Sequence, residues 1–403
     1  MTSQIMLFNQ KAGVVASDTL AVHNGPNGET SWPSASKIFE VGDHPLVVLC
    51  GGGASIADVH LELLIHEWIA DLKEPLDTLE EYAASFLESA GDTVTELEIT
   101  DHDTVPGVIE DELRDFARFS TISRSLKSGK LDGAQFDHAL KLELAAYNED
   151  NLMGNPFQDL DGDQALEIVN HLELNLQQRL WDVLELPARW CSGEVSVQLL
   201  NLAVLVLSHY VPCPRRFTRL NFVGYGQSDL TPGQVTVDIR GFWGRKMRAL
   251  TYPRRPEAGS QSACWDTQAQ SDAMDGFLKG IEHNLHDELI DLATTMVGSI
   301  ETVTDEQAAT FADEFGEALL AIEAERFADR FGAILWALTV PGMVRAADTL
   351  LTLQQLRAAT RGGPAQVGGT VEVVSVERHA GVTWHRRLPL TSLTASATPH
   401  PLA

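Results

Sequence analysis

Positive charge is scarce in this chain. Its 403 residues carry 29 Lys and Arg against 57 Asp and Glu, a formal net charge of −28 at pH 7. An acidic surface of that size repels phosphate backbones, which argues against nucleic acid as a partner. Cysteine is sparse as well. Cys50, Cys191, Cys213 and Cys264 are scattered with no C-x-x-C pair. Neither a disulfide framework nor a zinc site is expected, and a reducing compartment fits. No basic stretch leading into an apolar run opens the sequence, so a secretory leader is not expected. Long hydrophobic runs are missing too. The most apolar segment, VSVQLLNLAVLVLSHYV, is too short for a bilayer and includes Asn201 and His209. It reads as a buried helix; a cytoplasmic protein with no membrane partner is the expectation.

What remains is an ordinary globular composition, 44% apolar and 21% charged. Residues 4–9 and 13–17 are short and β-prone, joined by NQKAG: a hairpin. NGPNGETSWPS reads as a loop. KIFEV and PLVVLC form a second strand pair turned at GDH. GGG at 51–53 ends that pair, and helical spacing follows in ASIADVHLELLIHEWIADL and LDTLEEYAASFLESA. From about 100 to 212 the sequence is helical, acidic and Leu-rich, bounded by DHDTVPG and VPCPRR. Strands resume in RLNFVGYG, QVTVDIRGF and RKMRALTY, and helix is expected over 266–360. TVEVVSVER and GVTWHRR make a last hairpin. The expected organisation is therefore an α+β domain in two parts, 1–99 and 213–390. A helical acidic insertion at 100–212 divides them, and 391–403 forms a disordered tail.

The threonine behind Met1 raises the chemical question. An N-terminal threonine catalyses with few parts: its hydroxyl attacks a carbonyl, and its α-amine, with an unperturbed pKa of roughly 7.7–8.0, takes the proton. The site also needs a cation, an anion to hold it, and N–H groups for the oxyanion. Thr is small enough for methionine excision, which would free the Thr2 amine. Asp18 ends the second strand of the hairpin that Thr2 begins. Lys37 starts the next strand, and Gly51 and Gly52 lie where a strand gives way to a helix, a place where an N–H can face a developing charge.

TSQIMLFNQKAGVVASD, SKIFEVGDHPLVVLCGGGAS and VGGTVEVVSVERHAGVTW resemble proteasome β-subunits and their bacterial relatives, among the N-terminal nucleophile (Ntn) hydrolases. FVGYGQSDLTPGQVTVDIRGF is similar to the middle strands of bacterial members, and about half the chain is covered. The resemblance implies a four-layer αββα sandwich, with Thr2 as nucleophile and base, Lys37 as cation, Asp18 as its partner, and Gly51 or Gly52 for the oxyanion. Where the family has an Asp and a Ser before its late GG, this chain has Pro364 and Val367. A further family serine corresponds to Ser260 or Ser262 in AGSQSA. The resemblance also implies a peptide or small-amide substrate, no cofactor or metal, and self-association. The insertion is a candidate lid or face for a partner protein.

Other motifs have simpler readings. CGGG lacks the P-loop lysine. HLELLIHEW is not H-E-x-x-H, and His60 and His66 would face different sides of a helix. DLDGDQALE has its Gly too early for an EF-hand and reads as a capped helix start. Two functions stay open: a threonine-type hydrolase acting through an acyl-enzyme on Thr2, or a catalytically inactive assembly or binding module of the same build. Retention of Thr2, Asp18 and Lys37 together favours the first; Pro364 and Val367 favour the second.

Overall fold

A computed structural model describes residues 2–25, 28–32, 35–120, 133–152, 155–184, 192–210, 218–300, 302–360 and 367–388. Cys191, Cys213, Pro364 and the expected tail lie outside them. The described chain is α+β, and its strands pair antiparallel. Strands β1 (Ser3–Phe8) and β2 (Ala12–Asp18) form the expected hairpin. The expected loop after it holds a second hairpin, β3 (Ala21–Gly25) with β4 (Gly28–Trp32). Strands β5 (Ile38–Glu40) and β6 (Leu46–Gly52) follow and pair.

Gly51 and Gly52 do not lead straight into a helix. A short hairpin, β7 (Ser55–Ile56) with β8 (Val59–His60), intervenes, and α1 (Leu61–Asp71) begins only at Leu61 with His60 as its cap. The helix α2 (Leu79–Glu96) starts at a Thr78–Glu81 capping box. DHDTVPG is not a boundary loop. It forms the first turns of α3 (Asp101–Phe119), with Pro106 inside the helix.

Helices at Gly133–Leu152, Gly162–His171, Leu176–Leu184 and Gly193–Ser208 follow α3. Asp161 caps the third-last of these, as DLDGDQALE suggests. β9 (Asn155–Pro156) and β10 (His209–Tyr210) pair at their edge. These helices share a core of their own, including Ile109, Leu144, Trp181 and Leu202, and Trp243 enters it from the sheet.

Beyond them come β11 (Thr218–Gly224), β12 (Gly233–Trp243), β13 (Lys246–Arg254) and β14 (Cys264–Ala269), and last β15 (Val371–Glu377) and β16 (Gly381–Arg386). Helix was expected from 266, but β14 is a strand that pairs along the whole of β1. Its alternation is inverted relative to an ordinary strand. Asp266 and Gln268 point inward and hydrogen-bond Gln234 and Asn221, so no hydrophobic period marks it.

Two five-stranded sheets result, ordered β14-β1-β2-β15-β16 and β13-β12-β11-β6-β5. Period-two alternation sends alternate side chains to opposite faces. Met6, Phe8, Val15 and Val374 of the first sheet meet Val47, Leu49 and Val223 of the second. Ile5, Leu7, Val14 and Ala16 face the other way, onto Met274, Leu335, Met343 and Leu351 of later helices. Val48, Phe222 and Val237 likewise face α1 and α2 through Trp68 and Phe86. β1 and β2 are thus covered on both faces, which is why MLF and GVVA read as continuous apolar runs. No described helix is long and apolar enough to cross a membrane.

The helices from α3 to Gly193–Ser208 are joined to the sheet by polar contacts. Arg240 of β12 pairs with Glu112 of α3 at 2.6 Å, both almost fully buried, and Tyr147 donates to the same carboxylate. The Trp243 indole donates to the Leu207 carbonyl at 3.0 Å. Removing one partner of a buried pair strands the other's charge, whereas replacing both with apolar groups does not. Glu112→Ala should therefore lower unfolding stability by about 3–5 kcal/mol, while Glu112→Leu combined with Arg240→Met costs much less. Urea unfolding of the three proteins checks this; a single-variant loss no larger than that of the pair contradicts it.

Candidate active site

The hairpin register decides which residues meet Thr2. Gln4 pairs with Ser17, so the start of β1 lies beside the end of β2. The Ser3 N–H donates to Asp18 Oδ1 at 2.9 Å, one peptide unit from Thr2. Lys37 Nζ donates to the same oxygen at 2.6 Å and to the Leu20 carbonyl at 2.8 Å. The Gly368 N–H approaches Asp18 Oδ2 at 3.2 Å. Asp18 is fully buried, and these three donors compensate its charge. Lys37 is nearly as buried. Burial pulls its pKa below the ordinary lysine value, against the opposing pull of Asp18 and Glu372.

Thr2 itself is buried, and its carbonyl accepts the Gln270 N–H at 3.1 Å. It lines a cavity of about 750 Å³ together with Gly51, Gly52, Gln4, Arg219 and Gln268. α3 also lines this space, through Asp103, Thr104, Gly107 and Asp111. Three of its lining residues, Ala57, Asp58 and Ala269, have φ between 49° and 61°. Non-glycine residues are seldom held there, and such strain gathers at functional sites.

Gly51 and Gly52 differ in what they can offer. The Cys50 N–H reaches the Lys37 carbonyl, toward β5. Alternation along β6 then directs the Gly51 N–H toward β11 and the Gly52 N–H back toward the β5 edge, beyond the end of that strand. Gly52 also has φ +76°, a conformation suited to glycine. Cys50 packs toward the α1–α2 side, and burial pushes its thiol pKa up. It has no character of a nucleophile.

Ser260 and Ser262 are not brought to Thr2. β1 and β14 run antiparallel, with Phe8 opposite Cys264 and Ser3 opposite Ala269. The two serines therefore lie at the far end of β1, where the Gln10 side chain reaches the Ser260 carbonyl. The segment at the Thr2 end is Ala269–Gln270–Ser271, and the Ser3 hydroxyl donates to the Gln270 carbonyl at 2.7 Å. Val367 is buried. Its neighbour Gly368 supplies a backbone donor to Asp18, which no side-chain pattern announces.

A larger cavity, about 1000 Å³, lies between the helix Gly162–His171 and β13, with Asp159, His171, Lys246 and Arg248 on its walls. Asp159 is tied to Lys246 and Arg248 by ion pairs at 2.7 Å. These charges are paired with one another, and Thr2 is not among them.

Because the folded-state pKa of Lys37 lies below its unfolded value, the unfolded chain binds more protons between the two. The Lys37 contribution to stability therefore rises with pH up to about 10.5, the ordinary lysine value. Urea unfolding of wild type and Lys37→Met across alkaline pH measures it. The difference should move in favour of wild type as pH rises; the opposite trend contradicts the shift. No protein-family model matches this chain, and no curated protein is significantly similar to it.

Proposed function

We propose that this chain is a threonine-type N-terminal nucleophile hydrolase that cleaves an amide bond, in a peptide or a small amide. One observation carries the reading. The buried Asp18–Lys37 pair is fastened to the Ser3 N–H, directly beside a Thr2 that opens on a cavity shared with the β6 glycines. The order of the cores, helices on sheet, sheet on sheet, sheet on helices, supports the four-layer αββα sandwich that this reading implies.

In this mechanism Met1 is removed and Thr2 becomes the first residue. Its Oγ attacks the substrate carbonyl while its α-amine takes the hydroxyl proton. The Lys37 cation favours the developing alkoxide, and Asp18 holds that cation in place. The Gly52 N–H faces the tetrahedral oxyanion. Collapse breaks the C–N bond, and the Thr2 ammonium returns its proton to the leaving amine. Water, activated by the same amine, then hydrolyses the ester. No step calls for a metal or organic cofactor.

A specific observation favours the second reading, an inactive binding or assembly module. Val367 puts a buried apolar side chain where the resemblance expects a polar partner for the N-terminal amine.

Incubation with a β-lactone followed by intact mass measurement separates the two. The hydrolase reading expects one adduct on the wild type and none on Thr2→Ala, with Thr2→Ser still labelled. An unlabelled wild-type protein with a free Thr2 supports the inactive module. Self-association is proposed under either reading. The helix His283–Gly298 and the residue pair beyond it carry exposed Leu285, Leu292, Met296 and Ile300, an apolar stripe at helical spacing. Sedimentation should find an oligomer at micromolar concentration; monomer alone contradicts that part.

A further inference from the structure

Gln4 stands out among the cavity residues. It is 1% exposed, and among the described residues its Oε1 has no hydrogen-bond partner. Buried polar atoms are seldom left so, because the loss is comparable to a missing hydrogen bond. The amide orientation follows from its other end. Nε2 sits 2.8 Å from the Cys50 carbonyl, which can only accept, so the nitrogen must be there and the oxygen on the other side. Oε1 lies 3.7 Å from where a Cβ on Gly51 would stand, and Gln4 and Gly51 both line the cavity. A Cβ at Gly51 would stand in ordinary van der Waals contact with this oxygen.

Position sharpens the point. Gln4 is two residues from Thr2 on β1 and therefore on the same face of the strand. A group bound with its carbonyl at Thr2 Oγ passes close to this oxygen. An unpaired acceptor there wants a donor from the substrate.

We propose that Gln4 Oε1 is a specificity-determining acceptor for an N–H next to the carbonyl that Thr2 attacks, which selects acylamino substrates such as peptides over esters and simple acyl groups. This rests on the Thr2 hydrolase reading. A site with a buried acceptor discriminates strongly against ligands that cannot satisfy it.

Two β-lactones test it: one with an acylamino group beside the ring carbonyl, and its counterpart with an ester oxygen in place of that N–H. Attack by Thr2 Oγ opens the ring at its C–O bond. The proton taken by the α-amine passes to the released alkoxide, so each adduct adds the whole lactone mass. Rates are read by intact mass for wild type, Gln4→Met and Gln4→Glu, whose folding is checked by thermal unfolding. The ratio of the two rates in each protein, compared across proteins, cancels the reagents' intrinsic reactivity.

The acylamino preference should fall about tenfold or more in Gln4→Met. It should persist in Gln4→Glu, which loses the amide nitrogen but keeps an acceptor. A preference unchanged in Gln4→Met overturns the proposal while leaving Thr2 a live nucleophile. Equal loss in both variants also overturns it, because the effect would then come from the Nε2 contact to Cys50. Failure of both lactones to label wild type overturns the hydrolase reading and the inference with it.

Discussion

A carboxylate with no access to water organises this end of the molecule. Asp18 is held by a lysine and two backbone N–H groups that come from separate parts of the chain: the start of β1, the entry to β5 and the approach to β15. A buried charge is tolerated only when such partners are in place. Satisfying Asp18 therefore fixes the position of Ser3, Lys37 and Gly368 relative to one another. Thr2, next to Ser3, is placed as a consequence. The constraint is structural before it is chemical, and the proposed catalysis uses a cation that the fold already needs.

The second constraint is the way the helices from α3 onward meet the site. These helices have a core of their own, yet α3 is joined to β12 by a buried ion pair and lines the same cavity as Thr2. Access to Thr2 is thereby shaped by α3. Asp103, Asp111, Arg219 and Arg240 all line the cavity. Arg219 is in turn paired with Asp238 at 2.5 Å. The chamber's walls mix these charged groups with apolar ones, among them Val108, Ile239 and Phe242.

Much of the site could be read from the sequence because it rests on strand register. The β1–β2 turn is short, so the separation of Thr2 and Asp18 along the chain fixes their approach. KIF carries Lys37 to the same place through a β-prone run. Other parts gave no such signal. β14 carries no strand signal because its inward residues are Asp266 and Gln268, which hydrogen-bond each other and Gln234 and Asn221 of the second sheet instead of forming a hydrophobic stripe. Ser260 and Ser262 precede β14 and lie at the end of it remote from Thr2. The Gly368 donor is backbone, and backbone has no residue signature. The positive φ of Ala57 and Asp58, and hence the small hairpin ahead of α1, was equally hidden because neither residue type advertises such a turn.

Everything proposed for Thr2 depends on its α-amine being free to accept a proton. The most direct test is the mass of the purified, untreated protein, with sequencing of its first residues. The account predicts a chain that begins at Thr2, lighter than the encoded one by a single methionine. A chain that keeps Met1 has its threonine nitrogen locked in a peptide bond, and that result would contradict the central claim.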